Sequence, residues 1–177
     1  KNRTDQYDSR RRPEERWDFF VLSREVVSTV LQKAVSTGAD FAEVFAEHTK
    51  SNVMTMIDGK IESITDNYIS GVGVRVYKDL KSAYASTSDI SPEGLLRCAE
   101  NAAQAIAGGS VKRDIVLTER LFGDVHPVKV VPATAGNAVK ADIIRSAYAA
   151  AKDYSAEIAQ VQASLLDVDH NILVANT

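Results

Sequence analysis

Cysteine is nearly absent from this chain. Cys98 is the only one, so no internal disulfide can form, and the usage fits a reducing compartment. Histidine is scarce too. His48, His126 and His170 fall on three separate segments, with no i,i+4 pair on a helix, no H-E-x-x-H arrangement and no cysteine pair. The spacings that build zinc sites are therefore missing, and no catalytic, cofactor-binding or metal-ligating residue is assigned. No apolar run approaches the ~18–20 residues that cross a bilayer, and no signal-peptide pattern is present, so no membrane partner is expected. The first residue is Lys1 rather than Met, which leads us to read the chain as a fragment. Solenoid-length repeats and low-complexity tracts are absent.

What remains is the composition of an ordinary soluble globular protein, 45% hydrophobic and 25% charged, with a net charge of −3. At 177 residues it can bury a real core in one domain or two small ones. The charge is uneven. Residues 1–16 hold six basic residues against four acidic ones, or +2, which leaves −5 for the rest. Arg10-Arg11-Arg12 suits contact with nucleic acid or an acidic partner, or a solvated, mobile terminus. The acidic remainder argues against direct nucleic-acid binding.

Turn chemistry organises the centre. Asp58-Gly59 separates Val53–Met56 from Ile61–Ile64, and Asp-Gly between alternating runs is among the strongest hairpin signals. Phe41 to Glu47 alternates, with Ala42, Val44 and Ala46 predicted inward beneath a helix. Val72, Val74 and Val76 line one face of a further strand, Lys78–Lys81 turn the chain, and Ala83–Ser86 return it. Helices are predicted on either side. Pro13-Glu14-Glu15 suits a helix start that runs through Trp17 and Phe20. Ser23 caps a stripe of Val27, Val30, Leu31, Ala34 and Val35 that stops at Gly38. Ser91-Pro92-Glu93 opens a second helix, whose buried stripe is Leu95, Ala99, Ala102, Ala103 and Ile106. An extended connector with short strands around Ile115–Leu117 and Val128–Val131 then leads to an Ala-rich helix over Ala138–Lys152. Its inner side is expected to carry Val139, Ile143, Ala147 and Ala150. A closing hairpin is expected, with arms 158–166 and 172–175 and a turn at Asp167–Asn171. Its second arm, nearly continuously apolar, suits a strand buried on both faces. The fold class is therefore α+β, an antiparallel or mixed β-meander with helices packed on it. Residues 1–22 form a basic extension and residues 23–177 the folded domain.

Candidate chemistry is thin. Asp167-Val168-Asp169-His170-Asn171 has the look of a calcium loop but lacks the glycine and distal glutamate of an EF-hand, and turn geometry explains it. Gly71-Val72-Gly73 has no third glycine and no following helix, so it is not a dinucleotide fingerprint. Those glycines serve either a turn or bulge, or the close approach of a backbone or ligand. Cys98, on a helix beside Leu95 and Ala102, reads as a buried, inert thiol.

Several features occur in a fixed order: Gly38-Ala39-Asp40-Phe41-Ala42-Glu43-Val44 behind a helix, the Asp58-Gly59 hairpin, and Gly71-Val72-Gly73-Val74-Arg75. Next come Ala83-Tyr84-Ala85 leading to Asp89-Ile90-Ser91-Pro92, then Gln160-Val161-Gln162-Ala163-Ser164 and Ile172-Leu173-Val174-Ala175-Asn176-Thr177. This series, from Ser23 to Thr177, resembles the amino-terminal domain of the TldD/PmbA family, often labelled modulators of DNA gyrase, and its TldD branch more than its PmbA branch. The resemblance implies a cytoplasmic zinc metallopeptidase that trims unfolded peptides and pairs with a homologous TldD/PmbA subunit. In that family an H-E-x-x-x-H helix and a later cysteine hold the zinc in a carboxy-terminal domain, where the metal activates water and the glutamate acts as base. None of that motif lies in this sequence. The resemblance thus implies a non-catalytic domain, inactive alone, that helps wall the substrate chamber and form the dimer. Two other readings stand beside it: a stand-alone module that binds peptides by strand addition, and the zinc-less PmbA-like partner subunit.

Overall fold

A computed structural model describes residues 22–106, 109, 112, 114–118 and 129–177. In chain order the elements are α1 (Arg24–Val35), β1 (Phe41–Ile57), β2 (Lys60–Lys78), β3 (Lys81–Thr87), α2 (Pro92–Gln104), a 3-10 turn (Pro132–Thr134), α3 (Asn137–Asp153) and β4 (Gln162–Asn176). The strands form one four-stranded antiparallel sheet in the order β3-β2-β1-β4. β2 pairs with β3 from Val72↔Thr87 to Lys78↔Lys81. Between β1 and β4, the Thr177 N–H donates to the Ala42 carbonyl and the Asp58 N–H to the Val161 carbonyl, at 3.1 and 3.0 Å, so the two strands run antiparallel.

The α+β meander is as expected, but its strands are fewer and longer. The short runs expected at 41–47 and 53–56 are one 17-residue strand, and those at 61–64 and 72–76 one 19-residue strand. A ladder is made by the backbone, so the polar stretches between the apolar runs pair as well as their neighbours do. The Asp58-Gly59 turn forms as read. Both residues have left-handed φ, 47° and 81°, the pair of conformations that a two-residue type I′ turn needs.

The described residues fall into two compact units. The first takes those up to His48, those from 70 to 123, and Asn171–Thr177. Its core is the inner face of β1 and β2 (Ala42, Val44, Ala46, Val72, Val74 and Val76) under the buried stripes of α1 and α2. The predicted stripes of both helices are buried as read, and Cys98 joins that of α2. Each buried valine or leucine contributes about 1.5–3 kcal/mol of transfer free energy. The caps are also as read. Ser23 Oγ accepts from the Val26 N–H and Ser91 Oγ from the Gly94 N–H. Lys33 and Glu100, 2.9 Å apart, join α1 to α2. Ile115 and Leu117 pack on this core without forming a strand.

The second unit takes Thr49–Ile69 and the described part of 124–170. Met54 and Met56 of β1 pack with Ala141 and Ile144 of α3, flanked by Ile61, Tyr148, Ala163 and Leu165. This overturns the expected face of α3. Val139 and Ile143 are exposed, and the buried positions are Lys140, Ala141 and Ile144. An Ala-rich helix offers two overlapping stripes at the same spacing, and the two methionines select the one bearing Ile144 and Tyr148. The expected closing hairpin is also overturned. Residues 162–176 are one continuous strand, and Asp167–Asn171 lie in its middle rather than in a turn. Nor is its second arm buried on both faces: Leu173 and Ala175 pack on the first core, while Ile172 and Val174 are exposed. The helix expected from Pro13 and the strand at Val128 lie outside the described residues.

Candidate functional site

Among the described residues no strand follows β4 in the sheet order, so its outer edge presents backbone N–H and C=O groups over 15 residues. Such an edge is a template for another strand. The strand alternates strictly. Leu166, Val168, Ile172 and Val174 face solvent, Leu166 being 64% exposed. Ala163, Leu165, Asp167 and Asp169 lie on the half-buried side.

Behind the middle of β4, within the second unit, sits a buried polar group. The Lys140 Nζ is 2.7 Å from Asp167 Oδ2, with the two side chains only 8% and 16% exposed. The approach is an ion pair and is not aligned as a hydrogen bond. On β1, Asn52 is 2% exposed and donates through Nδ2 to Asp66 Oδ1 at 2.8 Å, while its own Oδ1 has no hydrogen-bond partner among the described residues. Burying charge is costly unless it is paired, so Lys140 and Asp167 depend on each other.

The first unit carries two further features. On the solvent side of the sheet the Tyr84 ring lies across Gly73, whose built Cβ would stand 2.7 Å from Tyr84 Cε2 and closer still to the hydroxyl. The Arg75 guanidinium sits 5.3 Å from the centre of that ring, in cation–π range. Of the two uses expected for the glycines, Gly73 therefore serves close approach, and what approaches is an aromatic side chain of this chain. Gly71 likewise faces the Thr87 carbonyl oxygen, 3.0 Å from a built Cβ. Between α2 and β3 lies a shallow polar cleft of about 350 Å³, lined by Ser86, Thr87, Arg97, Glu100, Asn101 and Gln104. Cys98 reaches its floor but is 3% exposed, and burial pushes its thiol pKa up, against a smaller lowering by a hydrogen bond at the Val74 backbone. A protonated, enclosed thiol is a poor nucleophile.

His48 is half-buried on β1. His170, on β4, has its Nδ1 2.9 Å from the hydroxyl of Thr49, which is itself buried. His170 was expected in a turn and is instead in mid-strand. His126 lies outside the described residues. Among the described residues no group of three or more His, Cys, Asp or Glu side chains is placed to hold a metal ion. Sequence reading missed Lys140, Asp167, Asn52 and Tyr84. Lysine is almost never buried unless paired, so Lys140 reads as surface until its partner, 27 residues away in sequence, is seen beside it. The available signal was the 140/144/148 spacing, which runs beside the stripe that was chosen.

Residues 42–106 match the family model described as PmbA/TldA metallopeptidase domain 1. Among solved structures, a protein from Bacteroides thetaiotaomicron described as a modulator of DNA gyrase superposes with a TM-score of 0.61 at 15% identity, covering 86% of this chain and 36% of that one. A Thermotoga maritima protein of the same description gives 0.59 at 19% identity, covering 86% and 35%. TldE from Thermococcus kodakarensis gives 0.55 at 13%, covering 85% and 35%. At these identities the likeness is one of fold, and the chain spans about a third of the length of the structures it matches. No curated protein matches the chain.

Proposed function

Since this chain carries an amino-terminal domain of the TldD/PmbA family, we propose that it serves as the non-catalytic part of a metallopeptidase that processes unfolded peptides. In this reading it walls the substrate chamber and contributes to pairing with a homologous subunit. The observation that carries the proposal is the match of residues 42–106 to the first domain of that family, within a fold shared over 86% of the chain. His48, His170 and Cys98 lie on different strands and a helix, and the described residues assemble no ligand set that fits a zinc ion. Zinc chemistry, polarising a carbonyl and activating water, would belong to another part of the protein. What these residues supply is a rigid sheet and an open strand edge. No helix among the described residues is long and apolar enough to cross a membrane. A cytoplasmic location belongs to the proposal on a separate ground, that a lone cysteine suits a reducing compartment.

The 15-residue edge of β4 favours a second reading, a module that takes up an extended peptide by strand addition. Metal analysis and a peptidase assay on an unfolded protein such as reduced casein test the first reading. We expect no turnover and no stoichiometric zinc from the 177-residue chain. About one zinc per chain, lost on His48→Ala or His170→Ala, would overturn it. Saturable binding of extended peptides by the isolated chain, weakened by Leu166→Lys, would favour the second.

A further inference from the structure

The two faces of β4 are matched in apolar residues. Its half-buried side holds Ala163, Leu165, Leu173 and Ala175 with Asp167, Asp169 and Asn171, and its exposed side holds Leu166, Val168, Ile172 and Val174 with Gln162, Ser164, His170 and Asn176. Because side chains alternate with period two, a slip of one residue against β1 would exchange the two sets. It would turn four aliphatic residues inward together with four polar ones, and turn four apolar residues outward together with three polar ones. Both faces carry enough apolar residues for either register to form a strand, so something other than hydrophobicity selects the observed one.

We propose that the buried Lys140–Asp167 ion pair is the register lock of β4. In the observed register, Asp58 stands against Val161 and Thr49 against His170, nine residues further along each strand, so no bulge intervenes. The same count places Asn52 opposite Asp167 and Lys50 opposite Asp169. The Lys140 ammonium, enclosed by the second unit, meets the Asp167 carboxylate only in this register. A slip in either direction sets a valine or leucine against it and leaves a buried cation without its anion. Because the slip also exposes Ala163, Leu165, Leu173 and Ala175, it returns little net burial to offset that penalty. A buried pair used to fix register, at a cost in raw stability, is the best-attested role for such pairs. Its consequence is that the apolar stripe of β4 stays on the outside, available for contact.

Disulfide trapping in the full chain, in a Cys98→Ala background, tests this. Val53→Cys with Leu166→Cys reports the observed register. Val53→Cys with Leu165→Cys, and Ser51→Cys with Asp169→Cys, report the two slips. Cysteines on opposite faces of a sheet cannot bridge, so the pairs are selective. With the lock intact, only the first cross-link is expected. In Lys140→Gln/Asp167→Asn, which removes both charges without adding an apolar residue to the inward face, the ratio of observed to slipped cross-link should fall by at least about tenfold. An unchanged ratio would overturn the proposal and assign the register to the Asp58 and Thr49–His170 contacts. If the double variant does not fold, the charge swap Lys140→Asp/Asp167→Lys decides. Recovery of the observed cross-link supports the lock, and a slipped or absent cross-link refutes it.

Discussion

The Asp58-Gly59 turn is the point where one substitution tests the fold most directly. Gly59 has φ +81°, where a side chain is strained whatever the space around it. Left-handed backbone costs a residue with a Cβ roughly 1–2 kcal/mol, and a β-branched residue sits at the upper end. The site is also enclosed. A built Cβ at Gly59 stands 3.3 Å from Tyr148 Cε1, so the valine methyls would push that ring off the cluster around Met54, Met56 and Ile144. Losing part of that burial costs about 1 kcal/mol more. Valine also stiffens the unfolded chain, which offsets about 0.4–1 kcal/mol. The net expectation for Gly59→Val is about 2–3 kcal/mol, or roughly 5–10 °C in Tm for a chain of this size. Ser63→Val, on the exposed part of β2, should stay within about 0.5 kcal/mol, since valine suits a strand. Thermal denaturation followed by circular dichroism compares the two. Gly59→Asn separates the causes, because asparagine tolerates the left-handed region. Equal melting temperatures for the valine variants would refute the turn assignment. Asparagine as damaging as valine would move the cause from backbone strain to the Tyr148 contact.

Two further substitutions probe the start of α2. Gly94→Ala should destabilise by about 1–3 kcal/mol although alanine is the better helix former, because a built Cβ lies 2.7 Å from the Asp89 carbonyl oxygen and closer still to its carboxylate. A chemical-denaturation midpoint at or above that of the unmodified chain would contradict this. Asp89 accepts from the Ser91 hydroxyl at 2.6 Å and from the Ser91 N–H at 3.1 Å, and bonds Arg97 at 2.8 Å. These contacts, the Ser91 hydroxyl foremost, hold its carboxyl below the ordinary 3.8. Its contribution is therefore complete above the unfolded carboxylate range and fades as pH falls through the lowered folded value. Tm measured against pH should show Asp89→Asn least stable relative to the parent near neutrality, with the gap closing below about pH 4. Parallel curves would count against it.

Much of the first unit was legible because local signals and burial agree there. The Ser23 and Ser91 caps, the alternation of Ala42, Val44 and Ala46, and the valine face of β2 all follow from residues a few positions apart. The Asp58-Gly59 turn is legible for the same reason, since few residue pairs accept two left-handed conformations. Strand lengths were not, because the backbone carries the ladder through polar stretches that side-chain patterning reads as breaks. The second unit escaped more fully. Asp167–Asn171 has turn composition, yet tertiary pairing with β1 makes it strand, and Lys140 makes Asp167 an inward residue. The amino-acid sequence by itself determined the α+β class, the caps, the central turn and the core of the first unit, because those depend on short-range propensity and periodicity. Only the tertiary structure decided which stripe of α3 is buried, that β4 is one strand, and which of its faces turns inward. Each of those choices rests on a partner distant in sequence, and in the last the apolar residues are matched on the two faces of the strand, so the pattern alone cannot decide.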